Sequence, residues 1–323
     1  MKIATVTLNP AIDQTVIVDH FQLNTVNRGQ SFQLDAGGKG VNVASFLADY
    51  GLSVAVTGFL GQENRAIFEQ LFARKQIEDR FVLLPGRTRT GVKIVDGANQ
   101  QTTDINLPGL EPTSEALSAL LATVDELAAS CDWFVLAGNL PPGVPASIYA
   151  TLIARLKAHG KRVVLDTSRD ALREGVQAGP SIVKPNIDEL QQLVGQPLPD
   201  EAAIKRAARQ LLNSGIDLVV VSMGARGALF VDRQTTLIAV PPSVTVQSTV
   251  GAGDAMVAGL IAGQVQGMSL AECARLATAF SVGTITRIGA HLPEAAMLQT
   301  YRDRVSVHTL DHAPLSSIEA QRS

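Results

Sequence analysis

The apolar positions of the chain change period repeatedly, and the changes mark its elements. Short runs rich in Val, Leu and Ile alternate with stretches whose apolar residues recur every three or four positions. The runs predict strands and the stretches predict helices. Strands are expected at Lys2–Thr7, Val54–Phe59, Trp133–Ala137, Arg162–Asp166, Ser181–Val183 and Leu218–Ser222, with a hairpin from Ala228–Asp232 and Thr235–Val240. Helices are expected at Gly38–Tyr50, Asn64–Arg74, Ala146–His159, Arg169–Gly175, Ile187–Val194, Glu201–Ser214, Gly253–Val265 and Ser269–Ile285. Runs such as VVLD and LVVVS are apolar at consecutive residues, so both faces of those strands must be covered. Covered strands separated by helices predict an α/β fold: a doubly wound, mostly parallel sheet flanked by helices.

Two stretches break the alternation. Gln14–Leu34 and Thr88–Ile105 are strand-like, polar at alternate residues and not followed by a helix. They are expected to form one small antiparallel β lid, inserted in a single domain spanning 1–305. Ordinary edge strands of the main sheet would give the same pattern. The polar tail, 306–323, is expected to be mobile.

Composition narrows the function classes. The chain has 323 residues, of which 46 % are hydrophobic, and this excludes a disordered chain. Lysine and arginine total 27 against 30 acidic residues, which gives no basic footprint for nucleic acid, and aromatics at only 4 % leave few stacking platforms for single strands. Cys131 and Cys273 have no metal-ligand spacing and lie in apolar patterns. Both read as reduced core residues, which suits a cytoplasmic protein. The start, MKIATVTLNPAID, is too short and polar for a signal peptide, and no apolar run is long enough to predict a membrane span.

The candidate chemistry sits in two glycine-rich turns, each preceding a helix. In Ser248-Thr249-Val250-Gly251-Ala252-Gly253-Asp254, the glycines let amide N–H groups converge, and the helix start adds its unpaired N–H groups. That makes an anion site suited to phosphate. A carboxylate beside bound phosphate would repel it, but Asp254 could act as a general base on an attacking hydroxyl, while the Gly251, Ala252 and Gly253 amides hold the transferred charge. Turn punctuation and a helix-start aspartate would look the same. In the second turn, Gly37-Gly38-Lys39-Gly40-Val41-Asn42, the glycines permit close approach of a ligand, Lys39 supplies a cation and Asn42 can bond a hydroxyl pair. A dinucleotide fingerprint is lacking after the first strand, which reads TLNPAID, and neither Gly-Lys pair is followed by Ser or Thr as a Walker loop requires.

These segments carry a resemblance. GGKGVNVA and TVGAGDAMVAG are similar to the two signatures of the ribokinase-like carbohydrate kinases. Between them, Lys184-Pro185-Asn186-Ile187-Asp188-Glu189 resembles that family's N-x-x-E motif, and Ser222-Met223-Gly224-Ala225-Arg226-Gly227 resembles its strand-end nucleotide turn. The likeness covers roughly residues 1–305 and is strongest to the bacterial phosphosugar kinases. It implies ATP along Ser222, Gly224, Gly227 and the Ser248–Gly253 loop, with Lys184 at the nucleotide phosphates. It implies that Asn186 and Glu189 organise Mg²⁺; without the resemblance, a helix-capping Asn and a surface Glu would be the plainer reading. Asp13, Gly38 and Asn42 would hold sugar hydroxyls.

The cations Arg28, Lys39, Arg87, Arg89 and Lys93 gather in the segments expected to meet the sugar, and Arg binds phosphate bidentately. This favours a phosphorylated sugar, with Arg89 and Arg28 as its ligands, although charged lid edges that resist aggregation would read alike. The resemblance implies a ketose phosphate as acceptor: fructose 1-phosphate first, then tagatose 6-phosphate or fructose 6-phosphate. Ser248 stands where many of these kinases carry Asp, which puts K⁺ activation in doubt. A non-catalytic sugar-phosphate sensor should lack the base or the anion loop, and both are present. Exposed lid strands could pair two subunits into a homodimer.

Overall fold

The computed structural model describes residues 1–99, 101–287 and 289–312. The chain runs β1 (Ile3–Thr7), β2 (Ala11–Val18), β3 (Ser31–Gly37), α1 (Lys39–Asp49), β4 (Val54–Gly61), α2 (Ala66–Lys75), β5 (Glu78–Asp79), β6 (Val82–Leu84), β7 (Thr90–Asp96) and β8 (Gln101–Asn106). It continues through α3 (Ser114–Ala128), β9 (Trp133–Ala137), α4 (Ile148–Ala158), β10 (Arg162–Asp166), α5 (Arg169–Gln177), β11 (Ile182–Val183), α6 (Ile187–Val194), α7 (Glu201–Leu211) and β12 (Leu218–Ser222). Then follow β13 (Ala228–Asp232), β14 (Thr235–Val240), α8 (Ala252–Val265), α9 (Leu270–Ile285), α10 (Ala295–Arg304) and β15 (Ser306–His312).

The main sheet has the order β15-β14-β13-β12-β11-β10-β9-β1-β4-β5, with β6 also paired to β4. From β12 to β5 every pairing is parallel, and β13, β14 and β15 close one end antiparallel. Apolar side chains fill both faces. One core packs α1, α2, α8, α9 and α10 on the sheet, and the other packs α3 to α7. Helix α8 is apolar nearly all round because it lies between α1 and α9, with every residue from Asp254 to Gly263 buried.

The small second sheet is present, in the order β3-β2-β7-β8. Its outer pairs are antiparallel and its central pair, β2 with β7, is parallel. Asp96, at the end of β7, accepts hydrogen bonds from the His20 and Phe21 amides at 3.0 and 2.7 Å, and so ties the 19–30 connection to the β7–β8 turn.

Besides the two- and three-residue strands β5 and β6, three elements went unanticipated. Helix α3 carries a clear signal, an N-capping Thr113 that accepts from the Ala116 amide and buried Leu120, Val124 and Leu127. Helix α10 buries only Leu298, so its pattern is faint. The tail is the third. Its residues 306–312 are not a loose end but a strand, β15, paired with β14 through Leu237↔Thr309 and Ala239↔Val307. The physical reason is the sheet edge: without β15, β14 would leave a row of unpaired backbone groups. Residues 313–323 lie outside the described residues. Cys131 and Cys273 are both free and buried. Among the described residues no helix is long and apolar enough to cross a membrane.

Candidate active site

The chain leaves β1 for β4 on one side and later returns to β9 on the other, so the winding reverses between β1 and β9. Open α/β sheets bind ligands outside the carboxyl ends of their strands at such a reversal. Two helix starts meet there. Gly251 caps α8 with φ 79°, a left-handed conformation that a side chain would strain. Asp254 follows in the first turn, 6 % exposed. From α1, the Asn42 side-chain Nδ2 donates to Asp254 Oδ2 at 2.8 Å. Burial pushes the Asp254 carboxyl up; Lys39 opposes this, Asp166 reinforces it, and the result is about 6. A carboxyl in this range can exchange a proton near neutral pH.

Beneath it lies a carboxylate that the motif reading missed. Asp166 ends β10 with no solvent exposure. Its Oδ1 takes the Lys39 ammonium at 2.9 Å and the Lys184 ammonium at 3.4 Å. Burial alone would raise the Asp166 carboxyl, but Lys184 and Lys39 outweigh it and hold the group below its ordinary range. Burial likewise pulls Lys39 down, and Asp166 and Asp254 more than reverse this, leaving it firmly charged. Lys184 Nζ would stand 3.4 Å from a Cβ placed on Gly253, so the ammonium lies over the first turn of α8. A signal for Asp166 existed: it is the acid that closes the apolar run VVLD, at the ligand end of a parallel strand.

Asn186 and Glu189 form a capping box at the start of α6. The Glu189 amide donates to Asn186 Oδ1 at 2.8 Å, and the Asn186 amide donates to Glu189 Oε2 at 2.9 Å. One Glu189 oxygen remains free of that box. Asp166 Oδ2 is buried without a partner, an orphaned acceptor close to the same cluster. Carboxylate oxygens of this kind suit a hard cation such as Mg²⁺. The Ser222 amide donates to Pro185 O at 3.0 Å, and this joins the Gly224–Arg226 turn to the Lys184–Asn186 segment. Across the site, the Gln247 and Ser248 amides both bond Ile285 O, and Ser248 Oγ accepts from the Val250 amide at 3.2 Å. These bonds set the Ser248–Val250 loop, with Thr249, ahead of α8.

A second group faces the first from the small sheet. Asp13 bonds the Lys93 ammonium at 3.0 Å, and Gly37 sits so close that a Cβ there would fall 2.6 Å from Asp13 Oδ2. Asp13, Asn42, Lys93, Ser248, Gly251 and Ala290 line one cavity, which brings the small sheet and the two glycine turns to a common space. Gly38 caps α1 against Pro10 and so fixes where Asn42 and Lys39 emerge. Arg89 is half-buried. Its guanidinium donates to Asn106 Oδ1 at 3.3 Å and to the Leu107 and Asn9 carbonyls at 3.4 Å, and its Nε is buried without a partner. Arg28 and Arg87 are exposed and are not brought into this network among the described residues.

The family model described as pfkB family carbohydrate kinase matches residues 6–296. The 1-phosphofructokinase of Rhodobacter capsulatus is 50 % identical over 311 residues, which is 96 % of this chain and 98 % of the relative. The 1-phosphofructokinase of Escherichia coli K12 is 38 % identical over 95 % of this chain and 98 % of its own. Phosphofructokinase-2 of Escherichia coli, solved in complex with substrates and products, superposes with a TM-score of 0.87 at 30 % identity and covers 94 % of this chain and 99 % of that one. With a family model matched over most of its length and relatives of this identity, the chain belongs to the pfkB family of carbohydrate kinases.

Proposed function

We propose that this enzyme transfers the γ-phosphoryl group of ATP to a ketose phosphate, with D-fructose 1-phosphate as acceptor and D-fructose 1,6-bisphosphate and ADP as products. The observation that carries the chemistry is Asp254: buried, held by Asn42 and shifted to about 6 at the mouth of an anion-binding helix start. The choice of sugar rests on relatives named 1-phosphofructokinase at up to 50 % identity.

Asp254 takes the proton of the sugar hydroxyl, whose oxygen attacks the γ-phosphorus in line as the bond to the ADP oxygen breaks. The Gly251, Ala252 and Gly253 amides and the start of α8 hold the charge of the group in transit. The charges of the cluster change in step. Lys39 and Lys184 face two carboxylates, Asp166 and Asp254, before the reaction. Once Asp254 accepts the proton, only one anion opposes the two ammoniums. The site therefore becomes more positive as phosphoryl charge arrives, and no group has to move. The free Glu189 oxygen, Asn186 and the orphaned Asp166 Oδ2 are the groups that would hold Mg²⁺ through water. When bound with ATP, that ion neutralises phosphate charge and orients the nucleotide. Lys184, Ser222, Gly224 and Gly227 border the nucleotide, and Ser248, Thr249 and Val250 complete its loop.

Asp13, Gly38, Lys39 and Asn42 form the sugar side, with Arg89 as a cation for the sugar phosphate. The small sheet acts as a lid over the sugar and excludes water from the γ-phosphate. Its two faces differ. Thr15 and Lys93 are paired on the face toward the cavity, while Phe32, Val16 and Ile94 form a cross-strand row on the other. Phe32 is 67 % exposed and Leu34 and Ile105 are also exposed, so this face is suited to cover by a second copy of the chain.

Assay of the purified enzyme with ATP and fructose 1-phosphate, tagatose 6-phosphate or fructose 6-phosphate should give the highest kcat/KM for the first. A higher value for either of the others reassigns the substrate. In Asp254→Asn, kcat should fall by about 10²- to 10⁴-fold, with little change in the KM for ATP. In the native enzyme, kcat/KM should fall as pH drops through about 6, because the base must be deprotonated to act. Sedimentation at micromolar concentration should give a dimer, and a monomer would remove the lid interface.

A further inference from the structure

Outside the reacting groups, a largely buried network fastens one wall of the cavity between the small sheet and the two glycine turns. Lys75, at the end of α2, bonds Asp49 Oδ1 and Ser45 Oγ of α1, both at 2.7 Å. Each of these partners then holds the backbone of one short segment. Ser45 Oγ donates to Ala290 O at 2.6 Å, and Asp49 Oδ2 accepts from the Leu292 amide at 3.0 Å. The two anchor points flank His291, so the segment is gripped on both sides. Gly289 and Ala290 line the cavity that Asp13, Asn42 and Lys93 also line. The Lys75 ammonium side chain is only 11 % exposed, and its burial lowers its charge affinity against the pull of Asp49.

The helix explains why these residues cooperate. Asn42, Ser45 and Asp49 stand three and four apart on α1, and so share one face. The first holds the base Asp254. The other two hold the wall. One rigid rod therefore sets the distance between the base and the surface that a sugar would rest on. The Ser45 clamp ends on the cavity-lining Ala290 itself, and the Asp49 clamp ends two residues further on, at Leu292.

We infer that Ser45, Asp49 and Lys75 are positioning residues for the sugar phosphate, because they clamp the 290–292 backbone and thereby fix the cavity wall at Gly289–Ala290. This rests on the kinase reading above. None of the three touches the reacting atoms. Their effect is on where the sugar sits relative to Asp254 and Asn42.

The test is steady-state kinetics on Ser45→Ala, Lys75→Met and Lys75→Arg. Ser45→Ala removes the link to Ala290 and the Lys75–Ser45 bond but keeps the Lys75–Asp49 ion pair, so it reports even where Lys75→Met fails to fold. Ser45→Ala and Lys75→Met should raise the KM for the sugar phosphate by about tenfold, while the KM for ATP stays near that of the native enzyme. Lys75→Arg, which keeps a cation within reach of both partners, should restore most of the loss. An unchanged sugar KM in Ser45→Ala, or sugar and ATP KM rising together, would overturn the positioning role. Native activity is read first: an enzyme that phosphorylates none of the three ketose phosphates overturns the kinase reading itself.

Discussion

A carboxylate with no access to water must be neutralised by the protein, and Asp166 is such a group. Two ammoniums do it, one from the first turn of α1 and one from the residue after β11. Those elements lie far apart in sequence, so the pairing specifies how the two halves of the sheet present their strand ends. Removing one partner of a buried ion pair costs about 3–5 kcal/mol, because the remaining charge is stranded. In the proposed mechanism the same cluster also tunes the base. Lys39 and Lys184 stand near the charge of Asp254, while Asp166 and burial raise its carboxyl toward neutrality. Stability and reactivity draw on one set of charges.

Around this centre the scaffold is arranged to hold distances. Helix α8 is buried between α1 and α9, so the Asp254 backbone has little freedom to shift. Helix α1 carries Lys39 and Asn42 at its start and the wall clamps, Ser45 and Asp49, further along. The small sheet supplies Asp13 and Lys93 from across the cavity. A phosphoryl transfer has little covalent chemistry for a protein to perform, so placement and charge carry most of the catalysis.

Much of this was legible in the sequence, for identifiable reasons. Continuous apolar strands gave the parallel sheet, and glycine-rich turns before helices pointed to Asp254, Asn42 and Lys39, because local patterns encode both. Asn186 and Glu189 were ambiguous for a good reason: a capping box uses the same residues that a metal site would, and the structure shows the capping bonds plainly. Asp166 was missed because its importance comes from contacts 127 and 18 residues away. The strand Ser306–His312 was missed because its polar residues satisfy a sheet edge, not a core. Arg89 was found as a cation, but its bonds to the Asn9 and Leu107 carbonyls could not be read from spacing.

The proposed chemistry depends most directly on the charge cluster that Asp166 holds together with Lys39 and Lys184 beside Asp254. Rapid-quench measurement of a single turnover in Asp166→Asn, at saturating ATP and sugar phosphate, tests it directly. The substitution keeps the side-chain shape and removes the charge. The transfer step should slow by about a hundredfold or more, the loss expected when reacting groups are held out of place. A transfer rate close to that of the native enzyme would contradict the account.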